Sequence, residues 1–427
     1  MTQDNPFFPH DYAVAASESG PYAAEGNVLY RWCGTHWDSL SDQEAERKAY
    51  AWLLSQDKEW ASASNAKRAI RALCLYAPAL PELTDKVVVP TRSGYVHLVG
   101  SDLVLHEPDP ALGLTHCLAC DYVPNAPCPP GFAAFLQRVL PDPAVAGRVQ
   151  EYIGYTLMPD ARYQRAQFWL GEGANGKGVL ANIVQALHGR VAAMALDQLS
   201  GFALSALVGA NLIYVDEVPR KPFDEQRLKS MIAGERIPID RKYREPLSVA
   251  VRGKWLVLGN HLPAITDHSV GFWRRWDVVP FAVTIPERER DPQLAERVMR
   301  EELSGVLNWA LDGLVRLLKR GGFDPVVPEP MRLLMREAKT QTNSVVAWME
   351  DLGVGLGDAA NTPKDAVFAH YRAWCTANAM PVVNVVQFWK RLREHFPQLA
   401  EHRMRTADGQ RRFTNVQLPL TGTEGMG

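Results

Sequence analysis

The stretch Gly171-Glu172-Gly173-Ala174-Asn175-Gly176-Lys177-Gly178 decides the fold of this chain, because it has the spacing of a phosphate-binding loop. Glycines at its first, third and sixth positions let the backbone adopt positive φ angles and bring successive N–H groups close to an anion. Lys177 can then reach the outer phosphates of a nucleotide. The next residue is normally Ser or Thr, whose hydroxyl binds Mg2+, but Gly178 has no side chain to do so.

The residues on either side of this loop predict a strand before it and a helix after it. Ala166–Leu170 is a short apolar run typical of a buried strand. Downstream, apolar residues recur at helical spacing at Val179, Leu180, Ile183, Val184 and Leu187. This order places bound phosphates at a helix N-terminus, where unpaired N–H groups and the macrodipole favour negative charge. The alternative, a plain glycine-rich turn, does not require this order.

Two further apolar runs each end in polar side chains. The run at 211–215 ends in Asp216 and Glu217, which suit a metal-binding carboxylate and a carboxylate that orients an attacking water. The run at 254–259 ends in Asn260, which we expect at the same sheet edge, where it can position that water. Taken alone, the carboxylates are typical of a charged turn and Asn260 of a turn residue. Their position after a phosphate loop favours the functional interpretation.

A pair of arginines precedes the last apolar run of this region. Arg274 and Arg275 stand before the run at 277–281, and an arginine supplied across a subunit boundary stabilises the charge of phosphoryl transfer. The alternative is an ordinary surface ion pair. The order of all these motifs favours a catalytic role for one of the two.

With these motifs in place, the chain resembles the superfamily III helicases, and among them the primase-helicases of phages and plasmids, a group that includes satellite-phage and poxvirus helicase-primases. The resemblance begins near residues 29–37, continues through 121–129 and 150–155, and covers the whole nucleotide-binding region. Gly173, Asn175, Gly176 and Lys177 resemble the phosphate loop of the family, and Asp216 and Glu217 resemble its acidic motif. Asn260 with Pro263 resembles its sensor motif, and Arg274 and Arg275 resemble its arginine finger. Gly178 departs from the Ser or Thr of the family.

The resemblance implies a hexameric ring that couples hydrolysis of ATP, with Mg2+, to movement along one DNA strand. Residues 236–249 alternate enough to form a hairpin whose tip carries Arg241, Lys242, Tyr243 and Arg244. Basic groups beside an aromatic ring suit a phosphate backbone and stacked bases. In the family the matching hairpin projects into the ring, so Lys242 is our first choice for a DNA contact. A solvated hairpin with ordinary surface charge is the alternative.

Composition is typical of a multidomain protein of the cell interior. The chain has 427 residues with 47% hydrophobic content, enough for two or three cores, and no stretch is apolar enough to cross a membrane. Its formal net charge of −2 argues against a surface covered with DNA-binding charge, so we expect any contacts with nucleic acid to be local. Neither membrane partners nor a signal peptide are expected, and we expect the cytoplasm of a bacterial host.

The six cysteines suggest reduced thiols rather than a disulfide framework. Cys117, Cys120 and Cys128, with His116 nearby, admit a zinc site, because a Cys-x-x-Cys pair with two further ligands can form a tetrahedron. No second Cys-x-x-Cys pair is present, and buried thiols are the default interpretation.

The predicted fold class is α/β, with a P-loop core of the AAA+ helicase type, an α+β N-terminal domain and a C-terminal domain of the winged-helix kind. Residues 1–25 are expected to be a flexible tail and residues 26–160 the helicase-associated collar domain of the family, with a capping box at Ser41 and Glu44. The core spans 161–322, and a proline-rich linker occupies 323–330. Residues 331–427 combine two amphipathic helices with a basic hairpin around Asp408-Gly409, and bind either DNA or protein.

These observations predict an enzyme, an ATP-driven replicative helicase that acts on single-stranded and forked DNA. No primase active site is evident in the N-terminal part, so any primase is expected to be a separate chain. The nearest alternatives are an initiator ATPase that binds an origin without processive unwinding, and a scaffold that binds ATP but hydrolyses it weakly.

Overall fold

We describe the protein from a computed structural model, for residues 7–219, 223–241, 244–263, 265, 267–359, 361–378, 380–406 and 409–418. Contacts divide the chain into two compact units. Unit 1 contains residues 1–261 and 275–331, and unit 2 contains residues 262–274 and 332–427. The regions predicted as N-terminal domain and nucleotide-binding core therefore share unit 1. No helix in the described part of the chain is long and apolar enough to cross a membrane.

The first part of unit 1 combines three helices with two small antiparallel sheets. The helices are α1 (Pro9–Glu18), α2 (Asp42–Gln56) and α3 (Ala63–Tyr76). One sheet is formed by β1 (Tyr22–Glu25), β2 (Val28–Trp32) and β3 (Trp37–Ser39), and the other by β4 (Val88–Thr91), β5 (Gly94–Val99) and β6 (Asp102–His106). The predicted capping box is confirmed at the start of α2, where the Ser41 and Glu44 side chains bond each other's backbone N–H.

The prediction of a flexible tail is wrong for residues 7–25. These residues form α1 and β1, and Phe7, Tyr12 and Ala13 are buried with Leu53 and Leu73 in one core. Helix α1 has only 10 residues and several of them are alanine, a small residue that marks the buried face of a helix weakly. Its buried face is therefore hard to recognise from sequence.

A five-stranded parallel sheet forms the centre of unit 1. Its strand order is β13 (Trp276–Pro280), β7 (Ala166–Leu170), β12 (Lys254–Gly259), β9 (Leu212–Val215) and β8 (Val191–Ala193). The neighbouring strands β7 and β12 are buried on both faces, as their continuous apolar runs predict. The helices of this part are α4 (Pro130–Val139), α5 (Pro143–Thr156), α6 (Lys177–Leu187), α7 (Glu225–Ile232), α9 (Leu294–Glu301) and α10 (Leu303–Arg320). Helices α4, α5, α6, α9 and α10 share one large apolar core with the sheet.

The predicted hairpin of the core is confirmed as β10 (Arg236–Arg241) paired with β11 (Arg244–Ala250). The first residues of the predicted linker 323–330 belong to the core of unit 1. Phe323 packs between Tyr155 and the Arg148 guanidinium, and this guanidinium lies 4.7 Å from the Phe323 ring. Arg148 also donates to the Asp324 carbonyl at 2.9 Å.

Unit 2 has its own core of helices and short strands. Its elements are α8 (Val270–Trp273), α12 (Ser344–Leu352), β14 (Gly355–Leu356), β15 (Thr362–Pro363), α13 (Lys364–Ala377), α14 (Val385–His395), β16 (Glu401–Thr406), β17 (Gly409–Thr414) and β18 (Val416–Gln417). Helix α11 (Glu329–Thr342) leads into it from unit 1. The predicted apolar faces meet around Trp348, Tyr371, Phe388 and Leu392, and the predicted basic hairpin is β16 paired with β17.

Candidate functional site

The polar groups predicted from sequence follow three neighbouring parallel strands at the same edge of the sheet. Leu170 of β7 lies beside Gly259 of β12, and Val257 of β12 lies beside Val215 of β9. The loop after β7, Asn260 after β12 and the carboxylates after β9 therefore share the carboxyl edge, where open α/β sheets bind ligands.

The loop between β7 and α6 needs glycine for two different reasons. A Cβ added to Gly171 would lie 2.3 Å from the Phe281 carbonyl oxygen, so this position has no space for a side chain. Gly176 has a φ of +82°, and a Cβ there would lie 2.7 Å from a methyl carbon of Val139. Gly173 has a φ of +108°, which side chains rarely adopt, and Ala174 follows at +51°.

The loop is tied to the sheet on both sides. The Asn175 amide donates to the Phe281 carbonyl at 2.9 Å, and the Ile285 N–H donates to the Ala174 carbonyl at 2.8 Å. The Gly171 N–H donates to the Gly259 carbonyl at 3.2 Å. These bonds hold the loop in its conformation.

The Lys177 ammonium group lies at the centre of this edge. Its Nζ donates to the Gly171 carbonyl at 2.5 Å, to Asn175 Oδ1 at 3.2 Å and to Asn260 Oδ1 at 3.4 Å. Only 6% of the residue is exposed, and burial lowers the pKa of Lys177. No carboxylate of the described residues pairs with it. Among these residues the charge is therefore matched by neutral dipoles, which an anion can replace favourably.

Helix α6 begins at Lys177 and directs its first N–H groups to the same edge. Gly178, in its first turn, is exposed, and a Cβ added there would have no neighbour within 4 Å. A serine therefore fits this position.

The carboxylates after β9 are exposed, and one of them is oriented by a tyrosine. The Tyr214 hydroxyl donates to Asp216 Oδ1 at 2.7 Å, and burial together with Asp216 raises the pKa of Tyr214. Glu217 is exposed beside it. Tyr214 was not predicted from sequence, although its position two residues before Asp216 on a strand places both side chains on one face.

The two arginines lie in different units. Arg274 is the C-cap residue of α8 in unit 2, and its side chain is exposed. Arg275 belongs to unit 1, where its carbonyl accepts from the Ala166 N–H at 2.8 Å and so fixes its backbone to β7. Of the two, Arg275 is the one anchored to the strand that leads into the loop.

The hairpin tip lies only partly within the described residues. Arg241 and Arg244 are paired at the end of the ladder, with an irregularity between Ile239 and Arg241. Lys242 and Tyr243 lie outside the described residues. The base of the hairpin is held by Arg236, which forms an ion pair with Glu25 at 3.0 Å and donates to the Ser248 carbonyl at 2.6 Å.

The cysteines considered for zinc lie in the interior of unit 1. Burial raises the pKa of Cys117 to about 11 and that of Cys120 to about 12, while Cys128 is half-buried. Burial also lowers the pKa of His116 well below its ordinary value. Across the described ranges, no group of three or more His, Cys, Asp or Glu side chains could hold a metal ion.

Unit 2 exposes positive charge on the hairpin of β16 and β17. The exposed arginines are Arg403, Arg405, Arg411 and Arg412. On the neighbouring helix α14, Arg393 pairs with Glu401 at 2.6 Å, and Lys390 lies 4.0 Å from Glu394.

Comparison with known proteins gives two classes of match. Residues 169–275 match a family of unknown function (DUF5906), and residues 342–421 match the RFX DNA-binding domain. Among solved structures, the A form apo structure of the NrS-1 C terminal region is 12% identical with a TM-score of 0.53, covering 95% of this chain and 98% of that chain. The apo structure of the same region is 11% identical with the same TM-score, covering 97% and 100%. The similarity shows a shared fold over almost the whole chain.

Proposed function

We propose that the chain is an ATP-dependent DNA helicase whose core is of the AAA+ type, with the 171–178 loop as its phosphate-binding loop. The observation that carries this proposal is the buried Lys177 ammonium, bonded to Asn260 and to the loop at the carboxyl edge of a parallel sheet. A nucleotide polyphosphate supplies the anion that such a site lacks.

The residues around the loop have distinct roles in this proposal. Lys177 and the first N–H groups of α6 bind the phosphates. Glu217 is exposed and orients the attacking water, while Asn260 positions it from the next strand. Arg274 or Arg275 acts on the phosphates of a neighbouring copy in a homo-oligomeric ring.

The donor set at this edge fits a magnesium ion. Mg2+ prefers oxygen ligands and keeps several waters, so one carboxylate together with phosphate oxygens is sufficient. Asp216, held by Tyr214, would bind it, and Gly178 adds no ligand. When bound, the ion neutralises charge on the phosphates.

The helicase proposal places DNA at two sites. The tip of the β10–β11 hairpin contacts single-stranded DNA in the ring, as the basic residues predicted there suggest. Unit 2 acts as a winged-helix domain on duplex DNA, supported by its match to a DNA-binding domain and by the arginines of β16 and β17. A separate chain supplies any primase.

A second function is favoured by the same match. An initiator ATPase would use unit 2 to bind an origin and would hydrolyse ATP without processive unwinding. Strand displacement on forked DNA, measured beside ATP turnover, separates the two. The helicase requires both activities, the initiator gives turnover alone, and a chain with neither activity contradicts both.

Two substitutions test the site itself. Lys177→Ala is expected to lower ATP turnover by ~100-fold or more, because the phosphate charge loses its cation. Glu217→Gln is expected to stop turnover while ATP binding, measured by calorimetry, is retained. Lys319→Met, an exposed lysine at the end of α10, is the matched control. Turnover of Lys177→Ala within a few fold of wild type would exclude this loop as the active site.

A further inference from the structure

The connection between β12 and β13 leaves unit 1 and returns to it. Residues 262–274 group with unit 2, although both strands belong to the sheet of unit 1. The chain passes back into unit 1 at the peptide bond between Arg274 and Arg275. The two candidate arginine fingers therefore have different structural supports.

Helix α8, which directly precedes Arg274, is held within unit 2 by several contacts. Ser269 caps it by accepting from the Phe272 N–H, and the Ser269 N–H donates to Asp267 Oδ1 at 2.9 Å. Trp273 is only 6% exposed, and the Lys339 ammonium of α11 lies 5.8 Å from its ring. A cation over an indole ring is attractive, so this contact links α8 to α11.

A second set of contacts relates the same connection to the basic hairpin of unit 2. Burial, together with the positive charge of Arg391 on α14, lowers the pKa of His268 to about 4. Arg391 donates to Asn343 Oδ1 at 3.3 Å, and Asn343 caps α12. On the same helix α14, Arg393 pairs with Glu401 of β16. The hairpin and α14 are thus joined by an ion pair, and the connection carries His268 within the influence of the Arg391 charge on the same helix.

Arg274 and Arg275 differ in what their side chains can do. Arg274 is exposed, and it has no ion pair with any described residue. Arg275 is half-buried, and its backbone is bonded to Ala166 of β7. Arg274 can therefore approach an anion outside its own chain, whereas the backbone of Arg275 is fixed to β7 directly before β13 begins.

We propose that Arg274, and not Arg275, reaches the nucleotide phosphates bound by a neighbouring copy, and that duplex DNA bound to unit 2 positions it. This inference rests on the proposed function. Trp273 and Lys339 are then positioning residues, since their contact attaches α8 to α11 of unit 2, the unit proposed to bind DNA.

Coupling of this kind is reciprocal. If duplex DNA on unit 2 favours the position in which Arg274 contacts the phosphates, then nucleotide must tighten DNA binding by the same factor. Couplings between sites are typically about 5-fold to 150-fold. The ratio of duplex affinities with and without nucleotide therefore measures the role of Arg274 directly, without relying on turnover.

The test uses the full chain, a short fluorescent duplex and an ATP analogue that is not hydrolysed. Fluorescence anisotropy gives the Kd of the duplex with and without the analogue, calorimetry gives the Kd of the analogue, and mass photometry gives the oligomeric state. The variants are Arg274→Ala, Arg275→Ala and Lys339→Met, with Lys319→Met on α10 as the surface control.

Wild type and Lys319→Met are expected to bind duplex at least about 5-fold more tightly with the analogue. In Arg274→Ala the duplex Kd with and without the analogue should agree within twofold. In Lys339→Met the analogue should tighten duplex binding less than in wild type, while Tm changes little. Arg275→Ala should keep the ratio. The inference is overturned if the analogue binds to wild type without changing the duplex Kd. It is also overturned if Arg275→Ala loses the tightening of duplex binding while Arg274→Ala keeps it, or if the chain remains monomeric. Failure of the analogue to bind overturns the proposed function as well.

Discussion

Replacing Asp277 with asparagine is expected to destabilise unit 1 more than any exposed charge substitution. Asp277 is the second residue of β13, is buried, and lies opposite Gln167 of β7. Its carboxylate accepts from Arg148 Nε at 2.7 Å and from Arg148 Nη2 at 3.1 Å. Arg165 adds a third contact at 3.3 Å.

The magnitude follows from burial. The side chains of Arg148 and Asp277 are 3% and 2% exposed, so neither charge is solvated by water. Removing one partner of such a pair leaves an uncompensated buried charge and costs about 3–5 kcal/mol. The Asp324 carbonyl and the Phe323 ring remain beside Arg148 but carry no negative charge. The loss is large against a total stability of about 5–15 kcal/mol.

Hydrogen exchange at increasing urea concentration, followed on peptides that cover Ala166–Leu170 of β7, measures the loss in the free energy of unfolding. Asp291→Asn is the matched control, because Asp291 pairs with Arg297 at 2.8 Å with both side chains more than 40% exposed. That change should cost less than about 1 kcal/mol. The double substitution Arg148→Met with Asp277→Leu should recover at least half of the loss. An Asp277→Asn protein within about 1 kcal/mol of wild type would refute the reasoning.

The remaining predictions concern the loop and a second buried charge. Burial lowers the pKa of Lys254 to about 7 in the folded protein. Below that pH the lysine is protonated in both the folded and the unfolded state, and above it only the unfolded chain keeps the proton. The free energy of unfolding of the wild type, measured by denaturant titration, should therefore rise by up to about 1.4 kcal/mol per pH unit between pH 7 and 8.5. The free energy of unfolding of Lys254→Met should not show this rise. Gly178→Ser should lower the Mg2+ concentration for half-maximal ATP turnover, and an unchanged Mg2+ titration would mean that the missing hydroxyl is unimportant. Gly171→Ala should abolish ATP binding in calorimetry, because its Cβ meets the Phe281 carbonyl, while Gly178→Ala, which meets nothing, should bind normally.

The strand, loop and helix around Lys177 were predictable because their signals are local, whereas the roles of the site residues stay predictions. A glycine-rich loop between an apolar strand and an amphipathic helix is encoded within about twenty residues. The position of Asn260 at the same edge followed from parallel strands ending together, and its Oδ1 lies 3.4 Å from Lys177 Nζ. Neither step needed information about distant parts of the chain.

Features that depend on distant contacts were not predictable. Asp277 and Arg148 are 129 residues apart, and neither has a local pattern that predicts a buried charge. No periodicity records that residues 262–274 group with unit 2, where the Lys339 ammonium of α11 lies over the Trp273 ring. The ordered segment at 7–25 was missed because a short helix is stabilised by tertiary packing rather than by propensity.

The position of the Lys177 ammonium also constrains how a ligand is recognised. The group bonds three oxygens, the Gly171 carbonyl, Asn175 Oδ1 and Asn260 Oδ1, from the segments that follow two strands. An anionic phosphate oxygen is a stronger acceptor than any of them, so binding should draw Lys177 away from its longest and weakest partner first. That partner is Asn260, at 3.4 Å. The amide proposed to position the attacking water would therefore be released only when phosphate occupies the loop, so assembly of the proposed active site would depend on the nucleotide.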